Sequence, residues 1–205
     1  ANLAEAAAEA IGADPLLVRV GAYYHDIGKI RRPVFFRENQ IGVENPHERM
    51  SPSLSALVVA AHVKDGLELA REYRLPRVIA DFIPQHHGTT LITYFYHQAL
   101  RRGDEPEATT YRYEGPKPQS RETAIVMLAD GAEAIVRSLP QPTTPRRLQA
   151  AVRRLIRERL EDGQLDGCPL TLRDLAAIAD AFVRVLGGVF HARIEYPDQA
   201  PAEQG

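Results

Sequence analysis

Gly21-Ala-Tyr-Tyr-His-Asp-Ile-Gly-Lys29 sets a histidine beside an aspartate, His25 and Asp26, inside an apolar helical pattern. A buried polar side chain without a partner is costly, so this doublet needs a reason. Upstream, residues 2–11 are rich in Ala and Glu and stop at Gly12. Asp14 then offers an N-cap with Pro15 in the first turn, and the spacing predicts a helix running through the doublet to about Lys29.

Working downstream, residues 30–50 read as a long polar and aromatic loop of the kind that tends to be functional. Ser51-Pro52 starts a helix carrying His62, which Gly66 is expected to bend or restart into 67–73. Leu75-Pro76 opens another that reaches His86 and His87 and stops at Gly88. Residues 90–101 look helical, and Gly103 to Gln119 irregular. Ser120 begins a helix through Asp130 to about Leu139, and Thr144-Pro145 one to Asp162. A Thr171/Asp174 capping box opens the last, roughly 172–191. No strand-like alternation of useful length appears, so the fold class is all-α. The reading is of one domain over 1–205, with its core in 1–140, C-terminal helices in 144–192 and a flexible tail over 193–205.

The doublet is not alone. His62 interrupts Ala-Leu-Val-Val-Ala-Ala-His-Val, Asp130 ends Ala-Ile-Val-Met-Leu-Ala-Asp, and the His86–His87 pair sits at a helix end. One histidine in an apolar helix is ordinarily a hydrogen-bonded core residue. A carboxylate in such a run needs a cation, and no Lys or Arg lies within a helical turn of Asp130. A shared metal centre explains all of these anomalies together, because neutral imidazoles and carboxylates ligate Fe, Mn or Zn and a carboxylate can bridge two ions.

The composition is that of an ordinary globular domain: 205 residues, 44% hydrophobic and 25% charged. A formal net charge of −2 gives no sign of a partner that is a nucleic acid polymer. No apolar run approaches the roughly 18 residues of a membrane span. The lone Cys168 fits a reducing compartment. The chain opens on Ala1 in what reads as the middle of a helix, so it is expected to be a soluble piece of something longer.

The chain resembles the HD domains, and within them the cytosolic HD domain of the seven-transmembrane-receptor HD family, whose characterised members are cyclic di-AMP phosphodiesterases. The resemblance is carried by residues 23–29, 32–40 (Arg-Pro-Val-Phe-Phe-Arg-Glu-Asn-Gln), 45–48 (Asn-Pro-His-Glu) and 62–66 (His-Val-Lys-Asp-Gly). It continues in 86–89 (His-His-Gly-Thr), 94–96 (Tyr-Phe-Tyr), 113–120 (Tyr-Glu-Gly-Pro-Lys-Pro-Gln-Ser) and 128–130 (Leu-Ala-Asp). It implies a helical bundle with a dinuclear centre. One metal would be held by His25, Asp26 and Asp130 with a histidine from a preceding helix, the other by His62, His86 and His87, with Asp26 bridging. Residues 1–24 contain no histidine, so the first site is expected to be incomplete and this piece impaired. The resemblance favours Fe or Mn, as does the mixed His/Asp set. It places the parent in a membrane, with this domain on the cytoplasmic side, and allows a homodimer.

The implied reaction is hydrolysis of cyclic di-AMP to linear pApA, with Asp26 and Lys29 as catalytic residues. Lys29 lies one turn from His25 and is assigned to a substrate phosphate; Arg31, Arg32 and Arg37 in the loop could supplement it, with a solvated role as the alternative for each. Adenine needs flat apolar faces, which Tyr94, Phe95, Tyr96 and Phe35–Phe36 offer where they are not core. Lys117 and Ser120, just before a helix N-terminus, are candidate phosphate neighbours, although a plain turn and N-cap accounts for them too. His47 reads as a loop hydrogen-bonder or a group behind the ligands, and the arginines of 145–160 as an exposed face. Two other HD activities compete: cyclic di-GMP hydrolysis, whose Gly-Tyr-Pro signature is absent after His87, and nucleotide hydrolysis. A non-catalytic cyclic-dinucleotide sensor is the rival of another class.

Overall fold

The computed structural model describes residues 1–36, 39, 40, 42, 44–140 and 143–191, the last three through their backbone alone. The expected flexible tail, 193–205, and Arg37 lie outside the described residues. Nine α-helices make up the described chain: α1 Asn2–Ile11, α2 Pro15–Tyr24, α3 Pro52–Glu72, α4 Arg77–Ala80, α5 Phe82–Gln85, α6 Thr93–Arg101, α7 Arg121–Ser138, α8 Pro145–Glu161 and α9 Leu172–His191. Among the described residues extended pairing is limited to one isolated bridge, Leu91 with Arg112.

The caps form where the sequence places them. Asp14 accepts from Leu17 N, Ser51 from Leu54 N and Thr144 from Arg147 N, each with Pro in the first turn. Thr171 and Asp174 exchange backbone and side-chain bonds as a capping box. α7 is the central element; Ile125, Leu128 and Ala132 are fully buried on it and meet Phe82, Leu155, Ile178 and Phe182 from the surrounding helices. A smaller cluster of Ala56, Phe95, Ala99 and Tyr111 joins α3, α6 and the 108–111 turn.

Four expectations fail, each for a tertiary reason. α2 ends at Tyr24, and 27–31 tightens into a 3₁₀ turn instead of continuing to Lys29 as α-helix. Gly66 neither bends nor restarts α3, which runs unbroken to Glu72. Both features come from one contact: a Cβ on Gly28 would lie 1.9 Å from the His62 carbonyl oxygen and 2.5 Å from Gly66 N. The tight turn presses bare backbone onto α3, and only glycine allows that approach. The expected helix from Leu75 to Gly88 is two single turns, α4 and α5, with Asp81 between them, and Gly88 then reverses the chain with φ +54°. The next helix begins only at Thr93, because Leu91 is held in the bridge to Arg112.

Candidate metal centre

Four elements bring the six predicted ligands together. His25 caps the C-terminus of α2, Asp26 follows it, His62 lies mid-way along α3, His86 and His87 follow α5, and Asp130 lies in α7. Ligand atoms of Asp26, His62, His86 and His87 lie within 4.8 Å of one another, as do those of His25, Asp26 and Asp130. Asp26 belongs to both groups. Its Oδ1 faces His62 Nε2 at 3.3 Å and His86 Nε2 at 3.5 Å, and its Oδ2 faces His25 Nε2 at 3.3 Å. Asp130 Oδ1 stands 3.9 Å from His25 Nε2.

Hydrogen bonding sets the direction of these rings. His25 Nδ1–H donates to the Ala22 carbonyl at 2.9 Å, His62 to Val59 at 2.6 Å and His86 to Ile83 at 2.7 Å. Each bond places the ring proton on Nδ1 and leaves a lone pair on Nε2. The three Nε2 atoms and Asp26 Oδ1 are closed to solvent and have no hydrogen-bond partner. Lone pairs of imidazole and carboxylate pointed at one another repel unless positive charge lies between them. The donor set therefore fits divalent cations, with backbone carbonyls behind each ring as in known metal sites. His87 is held differently: its ring stacks on Tyr113 at 4.0 Å between centroids and 12° between planes.

Burial works against charge on His25, but Asp26 and Asp130 outweigh it and raise its pKa. Burial likewise raises the Asp26 carboxyl, yet His25, His62 and His86 hold it far below the usual carboxylate range. Burial pushes His86 down, and pushes His87 well down with help from His86 and His62. Both rings thus stay neutral and able to ligate. Lys29 Nζ pairs with Asp26 Oδ2 at 2.7 Å and lies over the Phe36 ring at 5.2 Å.

Some residues that the sequence reading passed over shape this region. Tyr113 backs His87, and burial, then the charges of Asp130 and Asp26, keep its phenol protonated. Arg112 donates twice to Asp162, at 2.8 and 3.1 Å, tying the Tyr113 segment to the end of α8. Gln164, fully buried, accepts from Thr89 N at 2.9 Å and fixes the turn after His87. Arg159 departs from the expected exposed arginine face: its Nε is buried, and burial pulls its pKa down against the raising charges of Glu158, Asp162 and Asp130. All of these are long-range contacts with no periodic trace in the sequence.

The candidate substrate residues divide. Tyr94 lines a cavity with Phe35 and Phe36. Tyr96 instead packs edge-on to Tyr111 at 5.7 Å, in the second apolar cluster. Lys117 directs Nζ to Asp166 at 3.8 Å. The Ser120 hydroxyl is engaged in the capping box of α7. Arg31 and Arg32 are paired with Glu72 and Asp65 of α3. His47 is a loop hydrogen-bonder, donating Nε2–H to the Phe35 carbonyl at 2.9 Å.

Residues 1–135 match the family model described as HD domain. The chain is 48% identical over 198 residues to the cyclic-di-AMP phosphodiesterase PgpH of Bacillus subtilis (strain 168), covering 97% of this chain and 28% of that protein. It is 46% identical to the protein of the same name from Listeria monocytogenes, covering 97% and 27%. The crystal structure of the L. monocytogenes phosphodiesterase PgpH HD domain in complex with cyclic-di-AMP superposes with a TM-score of 0.88 at 44% identity, covering 92% of this chain and 87% of that one. The chain thus spans about a quarter of the length of these two curated relatives.

Proposed function

The chain belongs to the HD domain family, and from that premise we propose that it is the catalytic domain of a metal-dependent phosphodiesterase that opens cyclic di-AMP to linear pApA. One observation carries the reading: the Nε2 atoms of His25, His62 and His86 converge on the Asp26 carboxylate, and these three nitrogens and Asp26 Oδ1 are buried without a hydrogen-bond partner. His62, His86, His87 and Asp26 Oδ1 would hold one divalent cation; His25, Asp130 and Asp26 Oδ2 would hold the other. Fe or Mn suits this mixed nitrogen and oxygen set. When bound, such a pair supplies Lewis acidity toward a phosphate oxygen and an activated water near neutral pH. Lys29, already beside Asp26, balances negative charge where the phosphodiester would lie. Water adds to phosphorus, the P–O3′ bond breaks, and the product carries a 5′-phosphate and a free 3′-hydroxyl.

The names of the relatives and the cyclic-di-AMP complex of the structural neighbour support this substrate. Their greater length supports a larger parent, which the reading places in a membrane with this domain on the cytoplasmic side. No helix among the described residues is long and apolar enough to cross a membrane. The test combines elemental analysis with chromatography of cyclic di-AMP after incubation with Mn²⁺- or Fe²⁺-loaded protein. The expected result is pApA as product, with the His62 group loaded and the first group, one histidine short, loaded weakly or in part. Two tightly held metals per chain would show the first site complete, and binding without turnover would replace the enzyme by a sensor.

A further inference from the structure

Three of the four histidine rings in the centre are aimed by a backbone carbonyl, and the fourth is not. His25, His62 and His86 each donate Nδ1–H to the carbonyl three residues back. The His87 ring has no hydrogen-bond partner among the described residues. The second torsion of a histidine is broad and roughly two-fold, so a ring without such a bond must be held by what it touches. Tyr113 lies flat against it, with 4.0 Å between ring centroids and 12° between planes. His86, at 3.9 Å and 44°, and His62, at 5.1 Å and 87°, meet it tilted or edge-on. The phenol ring is thus the one parallel face among these neighbours.

That face is itself fixed. Tyr113 N donates to the Thr90 carbonyl at 3.1 Å and Ile92 N to the Tyr111 carbonyl at 2.7 Å, on either side of the Leu91–Arg112 bridge. The chain just after His87 and the chain just before Tyr113 therefore run as one short antiparallel pair. Arg112 closes this pair with its side chain, donating to the Thr89 carbonyl at 2.7 Å and to the Asp162 carboxylate at the end of α8. Both rings of the stack are carried by this anchored pair. Metal-ligating imidazoles nearly always have a partner behind the ring, and losing it costs about 10–100-fold in metal affinity.

We infer that Tyr113 is a positioning residue for the candidate metal centre: its flat face, and not its hydroxyl, stands in for the carbonyl that His87 lacks and holds that ring beside His62, His86 and Asp26. The inference rests on the metal-dependent reading above. Its test titrates Mn²⁺ into metal-stripped protein, with free Mn²⁺ followed by electron paramagnetic resonance. The proteins compared are the parent, Tyr113→Phe, Tyr113→Leu, His87→Ala and the double variant Tyr113→Leu/His87→Ala, with circular dichroism as the check on folding. Tyr113→Met takes the place of the leucine variant if that one does not fold. Tyr113→Leu should weaken the tighter Mn²⁺ step about tenfold, the lower end for a lost partner behind a ligand. Tyr113→Phe keeps the stack and should bind as the parent does. In the His87→Ala background Tyr113→Leu should change affinity less than about twofold, because coupled neighbours are not additive and the ring it held is gone. A loss of equal size in both backgrounds would mean general packing and would overturn the inference. So would a leucine variant that binds like the parent, or a phenylalanine variant that weakens with it. If the parent itself binds no Mn²⁺, the metal-dependent reading falls and this inference with it.

Discussion

A methyl group added at Gly28 would sit 1.9 Å from the His62 carbonyl oxygen and 2.5 Å from Gly66 N. Non-bonded heavy atoms settle near about 3.5 Å, so in Gly28→Ala the 27–31 turn must withdraw from α3 by more than about 1 Å. Both obstructing atoms are backbone, so no rotamer change relieves the clash. Overpacking costs about 1–3 kcal/mol, and this rigid contact belongs at the top of that range or beyond it. Alanine also narrows the unfolded ensemble, which offsets only about 0.4–1 kcal/mol. A net loss of about 2–3 kcal/mol lowers the melting temperature of a chain this long by roughly 4–12 °C. The displaced turn adjoins Asp26, now 3.3 Å from His62 Nε2, so metal affinity falls with stability. Thermal unfolding with and without Mn²⁺ measures both. Gly187→Ala is the control, since its Cβ would meet nothing within 4 Å, and it should match or exceed the parent. A Gly28→Ala protein that melts with the parent and loads metal equally would refute the close approach and the account of why 27–31 is not α-helical.

Asp26→Asn removes the charge of the carboxylate that faces both ligand groups; bound metal should fall below one per chain and cyclic di-AMP turnover by at least about 100-fold, read by elemental analysis and product chromatography. Mn²⁺ at a hundred times its Kd should stabilise the parent by about 2.7 kcal/mol and leave this variant nearly unmoved. Asp162 has its pKa lowered by the Arg112 hydrogen bonds, against burial and with help from Gln164. A carboxylate depressed in the folded state contributes stability above its unfolded value of about 3.9, lost as pH falls through the folded one. Asp162→Asn should therefore cost about 1–2 kcal/mol at pH 7, the lower part of the range for charged hydrogen bonds because water reaches the pair. The difference from the parent should shrink in urea unfolding as the pH falls below about 3.9.

The caps were legible because they are local: an N-cap residue and its acceptor lie within one turn, as at Asp14, Ser51, Ser120, Thr144 and Thr171. His62 and Asp130 were legible as anomalies because an unpartnered polar group in an apolar run is unfavourable whatever the fold. Gly66 was misread because a helix glycine looks like a weak point from within its own helix; its role is the contact with Gly28, 38 positions away in sequence. Tyr113 and Arg159 carried no periodic signal. Their positions follow from Arg112 pairing with Asp162 across the bundle.

By itself the sequence determined that the chain is helical, where most helices begin, and which polar groups had to find a common partner, since these follow from local propensity and the cost of burying charge. The tertiary structure alone decided that Asp26 presents one oxygen to each group of ligands, that three rings turn Nε2 inward, and that the Tyr113 ring lies flat behind His87. Those outcomes depend on how α2, α3, α5 and α7 pack, and packing is set by long-range contacts that no local window contains.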